Sequence, residues 1–136
     1  MTTWLFKEEP SHYGYDALER DGRTVWSGVK NPLAQKHLRA VKKGDWILYY
    51  HTGDEKAIVA TATAATDAYP DPDDPSGKAF VVDIVPKARL PRPIALAEVK
   101  AVPAFADFPL VRMPRLSVMP VGAKALKELE KLGAVG

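Results

Sequence analysis

The side chains that could move a proton or hold a metal are few and scattered along this chain. Glu8 and Glu9 are adjacent, so on a strand they face opposite sides and cannot work as a pair on one substrate. His12, His37 and His51 have no short metal-ligand spacing. His37 also falls on the apolar side of a predicted helix, where a hydrogen-bonded core role competes with ligation. Asp71-Pro-Asp-Asp-Pro75 has the carboxylate density of a calcium loop but neither its central glycine nor its closing glutamate. Its prolines point instead to a rigid surface turn. The chain has no cysteine, which excludes a thiol nucleophile, a thiolate metal site and a disulfide framework. G-x-S-x-G, Walker, G-x-G-x-x-G and H-E-x-x-H motifs are all missing. No catalytic residue, metal or cofactor is expected.

Aromatic and basic residues carry more information. Trp26 stands in Val-Trp-Ser-Gly-Val-Lys-Asn, at a strand end beside small residues, where a core role competes with an exposed ring face. Tyr49, Tyr50 and His51 close an apolar strand. Stacking of a base on such rings contributes about 1–3 kcal/mol. The net charge is only +2, but it is segregated. Between Ser27 and Gly44 stand Lys30, Lys36, Arg39, Lys42 and Lys43 with no acidic residue. Lys87, Arg89 and Arg92 form a second basic stretch, and Arg112 with Arg115 a third, while Asp67, Asp71, Asp73 and Asp74 gather elsewhere. Such segregation suits a polyanion, although a solvated helix face explains the first stretch equally well.

The elements that must position these residues can be read from periodicity. Strands are predicted at Trp4–Lys7, Trp46–His51, Ala57–Thr66, Phe80–Val85 and Leu116–Val121. A short helix is expected over Asp16–Arg20. Another should start at Asn31-Pro32, with Asn31 as N-cap, and end at Gly44. There Ala34, His37, Leu38 and Val41 would face the core, and Gln35, Lys36, Arg39 and Lys42 solvent. Tyr69–Gly77 reads as a loop, Ala95–Lys100 and Pro103–Asp107 as helical turns, and Lys124–Leu132 as an amphipathic helix. The pattern predicts an α+β fold, a curved sheet or small barrel of about five or six strands flanked by short helices. A length of 136 residues with 46% apolar content fits a single domain, residues 1–136. Neither a signal peptide nor a stretch long enough to span a bilayer is recognised, so a soluble cytoplasmic protein with no membrane partner is expected.

Several segments, taken together and in order, carry a resemblance. They are Trp4-Leu-Phe-Lys-Glu-Glu-Pro10, Asp21-Gly-Arg-Thr-Val-Trp-Ser-Gly-Val-Lys-Asn31, Lys43-Gly-Asp-Trp-Ile-Leu-Tyr-Tyr-His51, Ala68-Tyr-Pro-Asp71 and Arg115-Leu-Ser-Val-Met-Pro-Val121. The chain resembles the EVE domain family, a branch of the PUA-like superfamily related to YTH domains, over nearly its whole length. The resemblance implies a PUA-like β-barrel and a pocket for a modified base: a methylated or hydroxymethylated cytosine, or a modified adenine. By position, Trp26 would be a stacking wall, and Lys7, Glu9, Ser27 and Asn31 polar readers. Tyr50 and His51 would line another side, and Arg115, Leu116 and Ser117 a third. The chain departs from the family pattern at Glu8, where Ser is usual. It departs also at Pro32, where an aromatic is usual, and at His37, where Asn is common.

The expected function is therefore a non-catalytic module that captures a modified base of DNA or RNA in an aromatic pocket. Lys30, Lys36, Arg39, Lys42 and Lys43 would hold the phosphates. Two other classes stay open. One is an enzyme on a nucleobase or nucleotide, with Glu9 or His51 as acid/base. The other is a protein-interaction domain using the basic surface.

Overall fold

The structure is a computed structural model and describes residues 1–133; positions 134–136 of the expected domain lie outside them. The chain runs β1 (Thr3–Glu8), α1 (Pro10–Tyr13), α2 (Tyr15–Asp21), β2 (Thr24–Trp26), α3 (Pro32–Arg39), β3 (Trp46–His51) and β4 (Ala57–Ala64). It continues through β5 (Tyr69–Pro70), β6 (Phe80–Ala95), α4 (Leu96–Lys100), a 3-10 turn (Pro103–Phe105), α5 (Pro109–Arg112), β7 (Val118–Val121) and α6 (Ala123–Lys131). One mixed sheet has the order β2-β6-β4-β3-β1-β7, with β5 added to β6. β1 and β3 are parallel, and the other pairs antiparallel.

The sheet is strongly curled, as one distance demonstrates. β1 and β2 are four strand spacings apart in the order, about 19 Å in a flat sheet at the usual interstrand distance. Yet the rings of Phe6 on β1 and Trp26 on β2 are 5.2 Å apart. The sheet therefore closes into a half-barrel, with a seam where β2 approaches β1. The core runs through its interior: Phe6, Tyr15, Tyr49, Ile58, Ile84 and Leu38 are fully buried.

β6 continues well past Val85, although Pro86, Pro91 and Pro93 lead one to expect it to stop. Each proline falls where the β4–β6 register slips. Ala60 pairs with Arg89 and Ile58 with Ile94, so the residues carrying Pro91 and Pro93 are looped out of the ladder. Pro86 faces Ala62 beside the second slip. Bulges are where a residue without an N–H does no damage. The extra residue there, Lys87, gives its N–H to the Tyr15 hydroxyl at 3.1 Å, and that hydroxyl donates to Thr61 O at 2.7 Å. One buried tyrosine thus satisfies the backbone on both sides of the bulge.

The helix at Asn31 starts as expected: Asn31 Oδ1 accepts the Ala34 N–H at 3.0 Å, and Pro32 takes the first turn. It ends at Arg39, earlier than Gly44. The following turn is organised by buried Asp45, which accepts from the Trp4 indole N–H at 2.9 Å, Lys42 N–H at 2.9 Å and Thr2 N–H at 3.1 Å. Gln35, expected on the solvent face, is instead buried, at 7% exposure. Its side chain spans from Val29 O (2.7 Å) to the N–H (2.9 Å) and O (3.3 Å) of Phe80. It ties the loop after β2 to the start of β6. Among the described residues no helix is long and apolar enough to cross a membrane.

Candidate nucleic-acid interface

At the seam, Glu8, His12 and Tyr13 from the first strand and helix face Thr24, Val25, Trp26 and Ser27 across a hollow of about 140 Å³. That is small beside the ~300–1,000 Å³ of drug-sized ligand sites, and it suits one planar ring better than a whole nucleotide. Trp26 is mostly core, at 5% exposure, tilted against Phe6 and edge-on to Tyr49 at 5.5 Å. Its ring packs against Phe6 and Tyr49, so little of it is open to the hollow. Val25, on the outward side of β2, is 47% exposed. Glu8 Oε1 accepts the Glu9 N–H at 2.9 Å and meets His12 Nδ1 at 3.2 Å, leaving Oε2 for an incoming donor. The Ser27 hydroxyl has no protein partner among the described hydrogen bonds. Behind the hollow, Tyr49 donates to Tyr13 O, and burial followed by the Glu8 charge pushes its hydroxyl well above the ordinary phenol range.

The loop Ser27–Asn31 leads from this hollow to a second, of about 360 Å³, lined by Asn31, Leu33, Arg112, Met113, Pro114, Arg115 and Leu116. Its floor is apolar, and Met113 is 42% exposed. Asn31 has committed its carbonyl oxygen to the α3 cap, so its amide N–H groups are left for a ligand. Arg112 is paired with Asp107 at 3.1 Å, whereas Arg115 makes no ion pair among the described residues.

Not all the residues expected in one pocket share it. In the parallel β1–β3 ladder Phe6 pairs with Tyr49 and Lys7 with Tyr50. Alternation therefore puts Lys7 and Tyr50 on the opposite face from Phe6, Trp26 and Glu8. They line a third hollow instead. Burial lowers the proton affinity of the Lys7 ammonium, and it donates to Pro114 O at 2.9 Å. Glu9 accepts from the Thr52 hydroxyl at 3.2 Å. Ser117 uses its carbonyl to accept the Lys7 N–H at 2.9 Å. His51 shares the Trp26 face, but Nε2 accepts the Tyr15 N–H at 3.0 Å, so the ring proton is on Nδ1, bonded to Glu55 at 2.7 Å. Both nitrogens are occupied by structural bonds.

Lys30, Lys36, Arg39, Lys42 and Lys43 are all exposed, and none makes an ion pair among the described residues. Arg39 lies 5.5 Å over the Phe80 ring. Lys36 is one turn beyond Leu33, so the basic strip adjoins the larger hollow. The second basic stretch is different: Arg89 pairs with Glu19 at 2.6 Å and Arg92 with Glu98 at 2.8 Å. Glu8 enters the sequence reading beside Glu9 and as a departure from the family pattern, and His12, Tyr13 and Val25 are not assigned to the pocket there. The period of two linking Phe6 to Glu8 was the available signal for the first.

Residues 2–132 match the EVE domain. The solution NMR structure of a Rhodopseudomonas palustris protein superposes with a TM-score of 0.92 at 42% identity, covering 98% of this chain and 93% of that one. An Agrobacterium tumefaciens crystal structure gives 0.92 at 31%, covering 99% and 94%. The crystal structure of the human THYN1 protein in complex with 5-methylcytosine-containing DNA gives 0.88 at 25%, covering 100% and 99%. Human thymocyte nuclear protein 1 is 30% identical over 124 residues, 72% of this chain, and its chicken counterpart 34% over 80 residues, 50% of this chain. The matched segments span 55% and 33% of those two relatives. The curled mixed sheet, the order of its segments and these matches have one meaning: the chain belongs to the EVE domain family.

Proposed function

We propose that this chain reads a modified base, a 5-methylated cytosine foremost, in DNA, and makes or breaks no bond in doing so. The base inserts at the seam between β1 and β2, against Trp26, Tyr13 and Val25. Glu8 Oε2 accepts from the exocyclic amine of cytosine, a pairing that carboxylates make with this base. Ser27 serves the remaining edge. The strand then crosses the Ser27–Asn31 loop towards Arg115 and Asn31, and its phosphates meet Lys30, Lys36, Arg39, Lys42 and Lys43. A methyl group buried against Val25 contributes about 0.8 kcal/mol, or about fourfold in affinity. Hydrogen bonds that a wrong base leaves unpaired supply the rest.

The observation that carries this reading is the full-length likeness to a protein solved with 5-methylcytosine DNA, joined to cations without carboxylate partners in and after α3, the helix that follows the loop leading from the seam. The absence of chemistry is supported by His51 and Glu9, the acid/base candidates, both being held in structural hydrogen bonds.

The test is a fluorescence titration of short oligonucleotides, DNA and RNA, with cytosine or 5-methylcytosine, at one fixed salt concentration. Trp26→Ala is a poor control because truncating a buried tryptophan costs about 3–5 kcal/mol of stability. Glu8→Ala and Val25→Lys are better placed. Wild type should prefer methylated DNA several-fold, and both variants should lose the preference while retaining salt-sensitive binding. Equal affinities in the wild type would refute the reading.

A further inference from the structure

A further hollow lies on the opposite face of β1 and β3 from the proposed base site. Its volume is about 260 Å³, and Lys7, Lys56 and Lys100 line it together with Tyr50 and Thr52. Leu96, Leu110 and Pro114 form the apolar wall. Lys7 commits one N–H to Pro114 O at 2.9 Å and stands 5.4 Å from the Tyr50 ring centre, leaving two donors. None of the three lysines makes an ion pair among the described residues. Two carboxylates stand nearby: Glu9, which accepts from the Thr52 hydroxyl at 3.2 Å, and Glu55, which is bonded to His51 at 2.7 Å. Lys56 has φ +46°, a left-handed conformation that a non-glycine residue holds only at a cost. That turn brings Lys56 to the same rim as Lys100.

We infer that this hollow is a binding site for a phosphate group. Three lysines line it, from β1, the β3–β4 turn and the end of α4, together with Tyr50. Point-charge donors of this kind suit the tetrahedral oxygens of a phosphate, whereas a carboxylate is matched by the planar fork of arginine, which the hollow lacks. An anion also compensates the half-buried Lys7, whose charged form burial disfavours. The phosphate comes either from a small phosphorylated molecule or from a remote part of a bound DNA strand.

Inorganic phosphate titrated into the ¹⁵N-labelled chain tests this. Saturable amide shifts at Tyr50, Gly53, Lys56 and Lys100 are expected, with affinity at least tenfold weaker in Lys56→Gln/Lys100→Gln. Both substituted residues are exposed, so an unchanged thermal midpoint verifies folding. If the double variant also binds unmethylated DNA more weakly, with a shallower salt dependence, the phosphate belongs to the strand. If DNA affinity is unchanged, it belongs to a small molecule. No saturable shift at these amides, or equal shifts in the double variant, overturns the assignment. Methyl preference at Glu8 is read separately, so losing it with phosphate binding intact discredits only base reading.

Discussion

Gln35→Leu isolates the link between the fold and the reading site. The substitution keeps a buried side chain of similar reach but removes the amide that joins Val29 O to both backbone groups of Phe80. The partly buried Phe80 N–H loses its only described acceptor, which costs about 1–2 kcal/mol, the lower part of the range for a buried donor. The two carbonyls lose a donor each, at a smaller cost because an under-bonded C=O is better tolerated than an orphaned N–H. Leucine recovers part of this by apolar burial, leaving a net loss of about 2 kcal/mol. Urea unfolding reads it directly: at slopes of about 1–3 kcal/mol/M, the midpoint falls by about 1 M. The same change releases the Ser27–Asn31 loop from β6. Preference for methylated DNA should therefore drop towards unity, while affinity for unmethylated DNA stays within about twofold, since the α3 cations are untouched. A midpoint within about 0.2 M of wild type, or full retention of methyl preference, would refute the claim that Gln35 fixes the loop.

The remaining expectations address charge, pH and packing. Reversing Lys36 and Arg39 to glutamate should weaken all oligonucleotides alike and make the salt dependence of log K shallower by about 1–2, while the methylated-to-unmethylated ratio persists. His37 has its pKa lowered from 6.5 by burial and then by Lys36, so the unfolded chain binds the proton first. Its contribution to stability is whole above pH 6.5 and is lost as pH falls below that value; His37→Gln should flatten this part of a urea midpoint–pH profile. Trp26→Ala should destabilise by about 3–5 kcal/mol in the same assay, whereas Trp26→Phe, which retains contact with Phe6 and Tyr49, should cost less than half of that.

Much of the architecture is legible in local sequence because local rules decide it. Asn31-Pro32 starts a helix since the cap oxygen and the proline ring satisfy the first turn by themselves. The strands at Trp4, Trp46 and Ala57 follow from apolar continuity. The length of β6 was hidden because its prolines are tolerated only through bulges against β4, a tertiary property. Gln35 was hidden for the same reason: its burial depends on Phe80, distant in sequence. The site divided along similar lines. Resemblance picked out Trp26, Ser27, Asn31 and Arg115, all of which line hollows near the seam. It grouped Lys7 and Tyr50 with them because motif order carries no information on which sheet face a residue takes. The β1–β3 register supplies that information and moves both to the other side. The bonds of His51 to Tyr15 and Glu55 are equally invisible in the sequence, because they form only once α2 and the β3–β4 turn are in place.

Everything proposed for base reading depends on the base sitting at the seam. Its most direct test is an NMR titration of the ¹⁵N-labelled chain with a short DNA strand bearing one 5-methylcytosine, against the same strand with cytosine. The Trp26 indole and the amides of Glu8, Val25 and Ser27 should shift most, saturate together, and do so at several-fold lower concentration for the methylated strand. Shifts confined to the α3 lysines and arginine, identical for both strands, would contradict it.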